Sequence, residues 1–285
     1  MSDFSIVDNA TGEIVGGMNY NDVITSQEEL QRRVKAKQER LEHEATRYRS
    51  NGRKYYFVKS DSKFDGISPA MVTRLIYLST YAGYGNSVLM LTAKTKMKRV
   101  DLPDILGLSQ RHTANFWNEV SPQYVSEDED GYLILNDNVF KRGRLKRKQS
   151  IPYQQFYIDG VRKLYEAANG KYHKQLGYLF SMLPFISVEY NLICHNPYEK
   201  DMDKVNLMSI AEFCNEIGYD KSNIGRLKRI YNAVRFDVEG RQERFCTMIY
   251  NGIDENSAKI CINPNVLYAG TNKGCIEVSK LYFRD

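Results

Sequence analysis

Leu102-Pro-Asp-Ile-Leu-Gly-Leu-Ser-Gln-Arg-His-Thr-Ala-Asn-Phe-Trp-Asn-Glu-Val120 sets out, in order, a short apolar-periodic segment, a glycine, an apolar residue, a serine and a longer periodic segment. That order suits a helix-turn-helix, which needs a sharply ended first helix, an apolar plug in the bend and a cap for the second helix. Gly107 can adopt the left-handed backbone that closes the first helix. Leu108 can plug the turn, and Ser109 can accept the free amide hydrogens that open the second helix. The same series recurs in Met208-Ser-Ile-Ala-Glu-Phe-Cys-Asn-Glu-Ile-Gly-Tyr-Asp-Lys-Ser-Asn-Ile-Gly-Arg-Leu-Lys-Arg-Ile230, where Gly218, Tyr219 and Asp220 take the three places.

Periodicity divides each second helix into two faces. Thr113, Phe116, Trp117 and Val120 share one side, which leaves Gln110, Arg111, His112, Asn115 and Asn118 on the other. In the second segment Ile224, Leu227 and Tyr231 point inward, and Lys221, Ser222, Asn223, Arg226 and Arg229 point outward. The outward sets are rich in side chains that hydrogen-bond base edges: arginine to guanine, asparagine and glutamine to adenine. Asn223 and Arg226 suit base reading, and Lys221 and Arg229 suit phosphate anchoring.

The repetition extends beyond these helices. Leu133-Ile-Leu-Asn-Asp-Asn-Val-Phe-Lys-Arg-Gly143 aligns without a gap to Ile260-Cys-Ile-Asn-Pro-Asn-Val-Leu-Tyr-Ala-Gly270, each reading as a strand with an Asn-x-Asn-Val exit. Upstream, Leu75-Ile-Tyr-Leu78 matches Leu176-Gly-Tyr-Leu179, and each is expected to open an apolar helix. Shared order of landmarks points to a duplicated domain. Ahead of the repeats, residues 4–15 read as a hairpin and residues 26–49 as a long charged helix, with Ser26 and Glu29 as a capping box.

Each helix-turn-helix is followed by a hairpin, or wing. The first, residues 124–135, has the acidic tip Glu127-Asp-Glu-Asp130, which phosphates would repel. The second, residues 245–262, turns near Asn251-Gly252 or over residues 254–257, and an additional hairpin turns at Glu239-Gly240 and carries Arg235, Arg241 and Arg244. The net charge of +5 is modest, so the placement of charge matters more than its sum. Lys141, Arg142, Arg144, Lys146, Arg147 and Lys148 form a run without an acid, readable as a charged linker or as a strap across phosphates. Lys221, Arg226, Lys228 and Arg229 form a second group at helical spacing.

Several classes are set aside. No basic segment followed by an apolar run opens the sequence, and residues 176–188, the most apolar stretch, are too short to span a bilayer. A cytoplasmic protein without membrane contact is expected. Cys194, Cys214, Cys246, Cys261 and Cys275 contain no C-x-x-C pair and read as reduced thiols; a zinc site from Cys194, His195 and Cys214 is the lesser alternative. No phosphate-binding G-x-x-x-x-G-K-[ST] motif, histidine cluster or nucleophile-base set is present. No catalysis, cofactor or metal is expected.

Together the turn motifs, the strand-exit motif and the apolar lead helices resemble winged helix-turn-helix proteins of bacterial mobile elements, in particular the Rep-type replication initiators of plasmids and phages. The resemblance covers residues 66–270. It implies an α+β, mainly helical chain with two winged helix-turn-helix domains in tandem, at residues 53–150 and 151–285, preceded by a hairpin and helical arm at residues 1–52. It also implies sequence-specific binding of double-stranded DNA in replication initiation or transcriptional regulation. Self-association as a dimer, or replication and transcription proteins, would be further partners. The acidic first wing departs from the usual pattern, and a protein-interaction adaptor that keeps the fold without binding DNA is the rival expectation.

Overall fold

Seven helices and small antiparallel sheets make the described part of the chain an α+β protein. The computed structural model describes residues 4–7, 14–18, 31, 32, 35, 53–145, 152–250, 257–270 and 283. Residues 1–49 and 50–285 form separate compact units. In the first, β1 (Phe4–Val7) pairs antiparallel with β2 (Ile14–Met18), so the hairpin runs three residues past the expected end at residue 15. Gln31, Arg32 and Lys35 are helical and exposed, and the rest of the expected charged helix lies outside the described residues.

The second unit is built about β3 (Tyr55–Lys59), which lies between β6 (Phe140–Lys141) and β7 (Tyr153–Tyr157). Both neighbours run antiparallel to it. Tyr56, Val58, Gln154, Gln155 and Phe156 are buried, because helices cover this short sheet. Each half then supplies one apolar helix, α1 (Pro69–Leu78) and α5 (His173–Ser181), and the two pack against each other. Their approach is close: a side chain at Gly177 would run into the Pro69 carbonyl. The matched tetrapeptides Leu75–Leu78 and Leu176–Leu179 lie in the later turns of these helices. The expectation that they open the helices is therefore corrected. Ser68-Pro69 starts α1, since proline at the first helical position loses no intrahelical bond.

Beyond these helices, backbone bonds of the sheet and of the long hairpins recur in both halves. Lys59 N donates to Val139 O and Tyr157 N to Val266 O, both at 2.9 Å. Leu89 N reaches Leu133 O, as Ile193 N reaches Ile260 O, and Leu135 N reaches Ser87 O, as Ile262 N reaches Asn191 O. The Asn-x-Asn-Val motif has a physical reason in both copies. Asn136 Oδ1 accepts from Asn138 N and Asn263 Oδ1 from Asn265 N, while each first asparagine donates back to the hairpin, to Gln123 O and Arg244 O. One side chain thus closes the turn and ties it to the preceding strand.

The β3–β7 register obeys the same repetition. Val58 pairs with Phe140 and Phe156 bridges Leu267, which makes Val58 and Phe156 equivalent. Exchange of the halves turns Tyr56↔Phe156 into Val58↔Gln154, and both pairs are present. Phe57↔Gln155 maps onto itself. The halves are therefore related by an internal half-turn centred on that pair. A single apolar core includes residues of both halves, from Tyr56 to Leu267.

Candidate nucleic-acid interface

In the first half α2 (Leu102–Leu106) ends at Gly107, whose φ of 61° is left-handed. Gly107 N then bonds Asp104 O, and Leu108 N bonds Pro103 O. In the second half α6 (Ile210–Glu216) gives way to Gly218 at φ 62°, with Gly218 N on Asn215 O and Tyr219 N on Cys214 O. Leu108 and Tyr219 pack on the core as partly buried plugs. Ser209 and Glu212 complete a reciprocal cap on α6, and these hydrogen bonds from Ser209 hold the Glu212 carboxyl below its usual value.

Ser109 caps α3 (Gln110–Val120) by accepting from His112 N, and its hydroxyl also lies 3.0 Å from His112 Nδ1. Thr113, Phe116, Trp117 and Val120 are buried. Gln110, Arg111, His112, Asn115 and Asn118 are exposed. Burial of Phe116 and Val120 fixes the roll of this helix, each contributing about 1.5–3 kcal/mol. The outer face is polar because the inner one is consumed by the core.

The second copy differs in its first turn. A continuous helix from Asp220 is expected from the periodicity, but Lys221–Asn223 form a 3-10 turn and α7 spans Ile224–Ala233. Asp220 explains the difference: its carboxylate accepts from Ser222 N and Asn223 Nδ2, and its carbonyl accepts from Asn223 N. Those bonds tighten the turn and hold the Asp220 carboxyl below its ordinary value. Ile224, Leu227 and Tyr231 are buried, and Lys221, Ser222, Asn223, Arg226 and Arg229 are exposed. Lys228 leaves the expected basic group. It is only 7% exposed, and its ammonium lies 5.5 Å from the Tyr250 ring centroid.

The basic run after the first wing is partly built into the fold. Lys141 belongs to β6, and Arg142 is half-buried with Nη1 donating to Ala82 O at 2.6 Å. Burial, together with Arg162 nearby, lowers the Arg142 pKa. Arg144 is exposed, and Lys146, Arg147 and Lys148 lie outside the described residues.

A further basic element escaped the sequence reading. Lys94, Lys96, Lys98 and Arg99 are exposed on the segment that leads into α2, whereas Met97 between them is fully buried. The alternation in Lys94-Thr-Lys-Met-Lys98 is the signal that could have found it. Lys98 bridges Tyr132 of the wing, and the Lys96 and Lys98 ammonium groups lie 4.5 and 4.7 Å from the Tyr132 ring centroid. Arg99 lies 4.8 Å above the Trp117 ring of α3. The second half has Leu207 and Ser209 at the corresponding bridges, so Lys96 and Lys98 have no basic counterparts there.

The hairpins expected as wings are β4 (Val125–Glu127) with β5 (Leu133–Leu135), and β10 (Cys246–Ile249) with β11 (Lys259–Ile262). Asp128 shapes the acidic tip by accepting from Asp130 N and Tyr132 N, and Lys98 Nζ reaches Asp130 O at 3.2 Å. The turn of the second wing lies outside the described residues. The additional hairpin, β8 (Arg235–Val238) and β9 (Arg241–Arg244), turns at Glu239-Gly240 as expected, and both residues have positive φ. Arg241 is exposed, Arg244 is half-buried, and Arg235 donates to Asn232 O.

Among the described residues, no group of three or more His, Cys, Asp or Glu is placed to hold a metal ion. Cys194, Cys214, Cys246 and Cys261 are buried and unbridged, and burial pushes the Cys194 and Cys214 thiols up to about 11. No described helix is long and apolar enough to cross a membrane. Comparison with protein-family models, with curated proteins and with solved structures gives no match to this chain.

Proposed function

We propose that this chain is a sequence-specific, non-catalytic binder of double-stranded DNA, built from two winged helix-turn-helix units related by the internal half-turn. The observation that carries this reading is the repeated division of a helix after a glycine bend into a core face and an exposed polar and basic face, Gln110 to Asn118 on α3 and Lys221 to Arg229 around α7. Exposed amide and guanidinium side chains held on a rigid helix are what direct readout in a major groove requires. Lys94, Lys96, Lys98 and Arg99 supply the phosphate contacts that position the first unit.

The half-turn adds a geometric consequence. Elements exchanged by a two-fold rotation meet a duplex with opposite strand polarity, as the halves of a symmetric dimer do. One chain would then read two inverted elements of unlike sequence, because the two outer faces differ. Such a site suits a replication origin or a regulatory region of a mobile element. The exposed acidic tip at Glu127, Glu129 and Asp130 favours a protein partner at the first wing, and this is what keeps an adaptor role as the second reading. A salt titration separates the two. Duplex affinity should fall steeply as salt rises, whereas an adaptor would show no duplex affinity even at low salt.

A further inference from the structure

We infer that an open pocket between the α4–α5 turn and α7 takes a phosphate group of the duplex backbone, beside the groove that α7 enters. The inference rests on the DNA-binding reading and extends it to an element outside the helix-turn-helix. The pocket holds about 330 Å³ and is lined by Lys171, Tyr172, Arg226, Arg229, Ile230 and Ala233. Three of these six side chains are cationic, and no acid is among them. Lys171, Arg226 and Arg229 are exposed, so a large polyanion can approach without displacing the core. Ile230, Ala233 and the Tyr172 ring suit the sugar edge of a nucleotide, and Lys171 and Arg229 suit its phosphate, with Arg226 at the side toward the bases.

The turn that presents Lys171 is held in place. After α4 (Ile158–Ala168), Asn169 and Gly170 are both left-handed, at φ 46° and 65°. His173 Nε2 donates to Tyr165 O at 3.3 Å and lies 3.3 Å from Gly170 N, so the buried imidazole is wedged against the turn. His173 is buried, its ring 4.2 Å from that of Tyr165, and Thr73 Oγ1 of α1 donates to its carbonyl. The core therefore sets where Lys171 stands, and Lys171 Nζ rests 5.2 Å from the Tyr172 ring centroid. With the backbone already fixed, only the side chain has to be ordered when a phosphate arrives.

The test compares full-length wild-type, Lys171→Ala and Lys171→Arg chains, binding mixed-sequence duplex DNA over a salt series. Loss of one phosphate contact should flatten the slope of log affinity against log salt by about 0.9 in Lys171→Ala. Lys171→Arg should retain the wild-type slope. Equal slopes and affinities for wild type and Lys171→Ala would overturn the inference and leave the DNA-binding reading intact. Absence of salt-dependent duplex binding in the wild type would instead overturn that reading. Inorganic phosphate, titrated separately by calorimetry, distinguishes the source. Phosphate binding lost in Lys171→Ala, with duplex binding unchanged, would assign the pocket to a free anion and overturn its place on DNA.

Discussion

Phe57 stands opposite Gln155 at the centre of the β3–β7 ladder, and each pair of that ladder on one side of the point has a counterpart on the other. Antiparallel strands carry a two-fold relation in their geometry. Here the relation extends outward through α1 and α5 to the paired helices at residues 102–120 and 210–233. The halves diverge where partners would be met. A basic lead segment serves only the first, and a 3-10 entry and an inserted hairpin serve only the second.

The lead segment should contribute affinity without sequence preference. Replacing Lys96 and Lys98 together by alanine should weaken binding to all duplexes by a similar factor. The salt slope should fall by about 0.9 for each phosphate contact removed. Fluorescence anisotropy with two unrelated duplexes measures both effects, and an unchanged slope would remove these lysines from the interface.

The two copies of the strand-exit asparagine should differ in cost. Asn263 is fully buried and donates to Glu243 Oε2 at 2.9 Å, and Asn265 gives that carboxylate a second bond at 2.8 Å. Asn263→Ala should therefore lower stability by about 1–3 kcal/mol, because a buried acid loses a donor. Asn136→Ala, at a half-buried position whose side chain meets only backbone groups, should cost about 0.5–1.5 kcal/mol. Urea denaturation of both variants checks the order.

His173 should make stability fall on mild acidification. Burial, with Arg74 close by, lowers its pKa to about 4, against an ordinary value of 6.5; its hydrogen bond to the Tyr165 carbonyl opposes the shift. The unfolded chain takes up this proton first. The contribution is thus full above about pH 6.5, is lost as pH falls toward 4, and changes no further below that, amounting to about 3 kcal/mol at most. His173→Gln should flatten this part of the stability profile in denaturation measured from pH 7 to 4. A variant as acid-sensitive as the wild type would exclude His173 as the cause.

Much of the second unit was legible because its cues are local. Glycine, plug and cap at 107–109 and 218–220 specify a bend by their own backbone chemistry, and 3.6-residue periodicity separated the buried and exposed faces of α3 and α7. What was missed depends on distant contacts. Lys228 sits at an outward-looking spacing yet is covered beside Tyr250, and Arg142 turns its guanidinium to the Ala82 carbonyl. The tetrapeptides beginning at Leu75 and Leu176 do not mark helix starts, because apolar content runs through a helix; Ser68-Pro69 does mark one. The half-turn itself emerges only from strand register, which no single segment encodes.

Selection of bound fragments from random duplex DNA, with wild type, Arg111→Ala and Arg226→Ala, tests the central claim most directly. The wild type should enrich sites with two unlike elements of opposite polarity. Each variant should lose preference at one element, a different one in each case, at a cost of about 1–3 kcal/mol. No enrichment at low salt, or identical enriched sites for all three chains, would contradict the account.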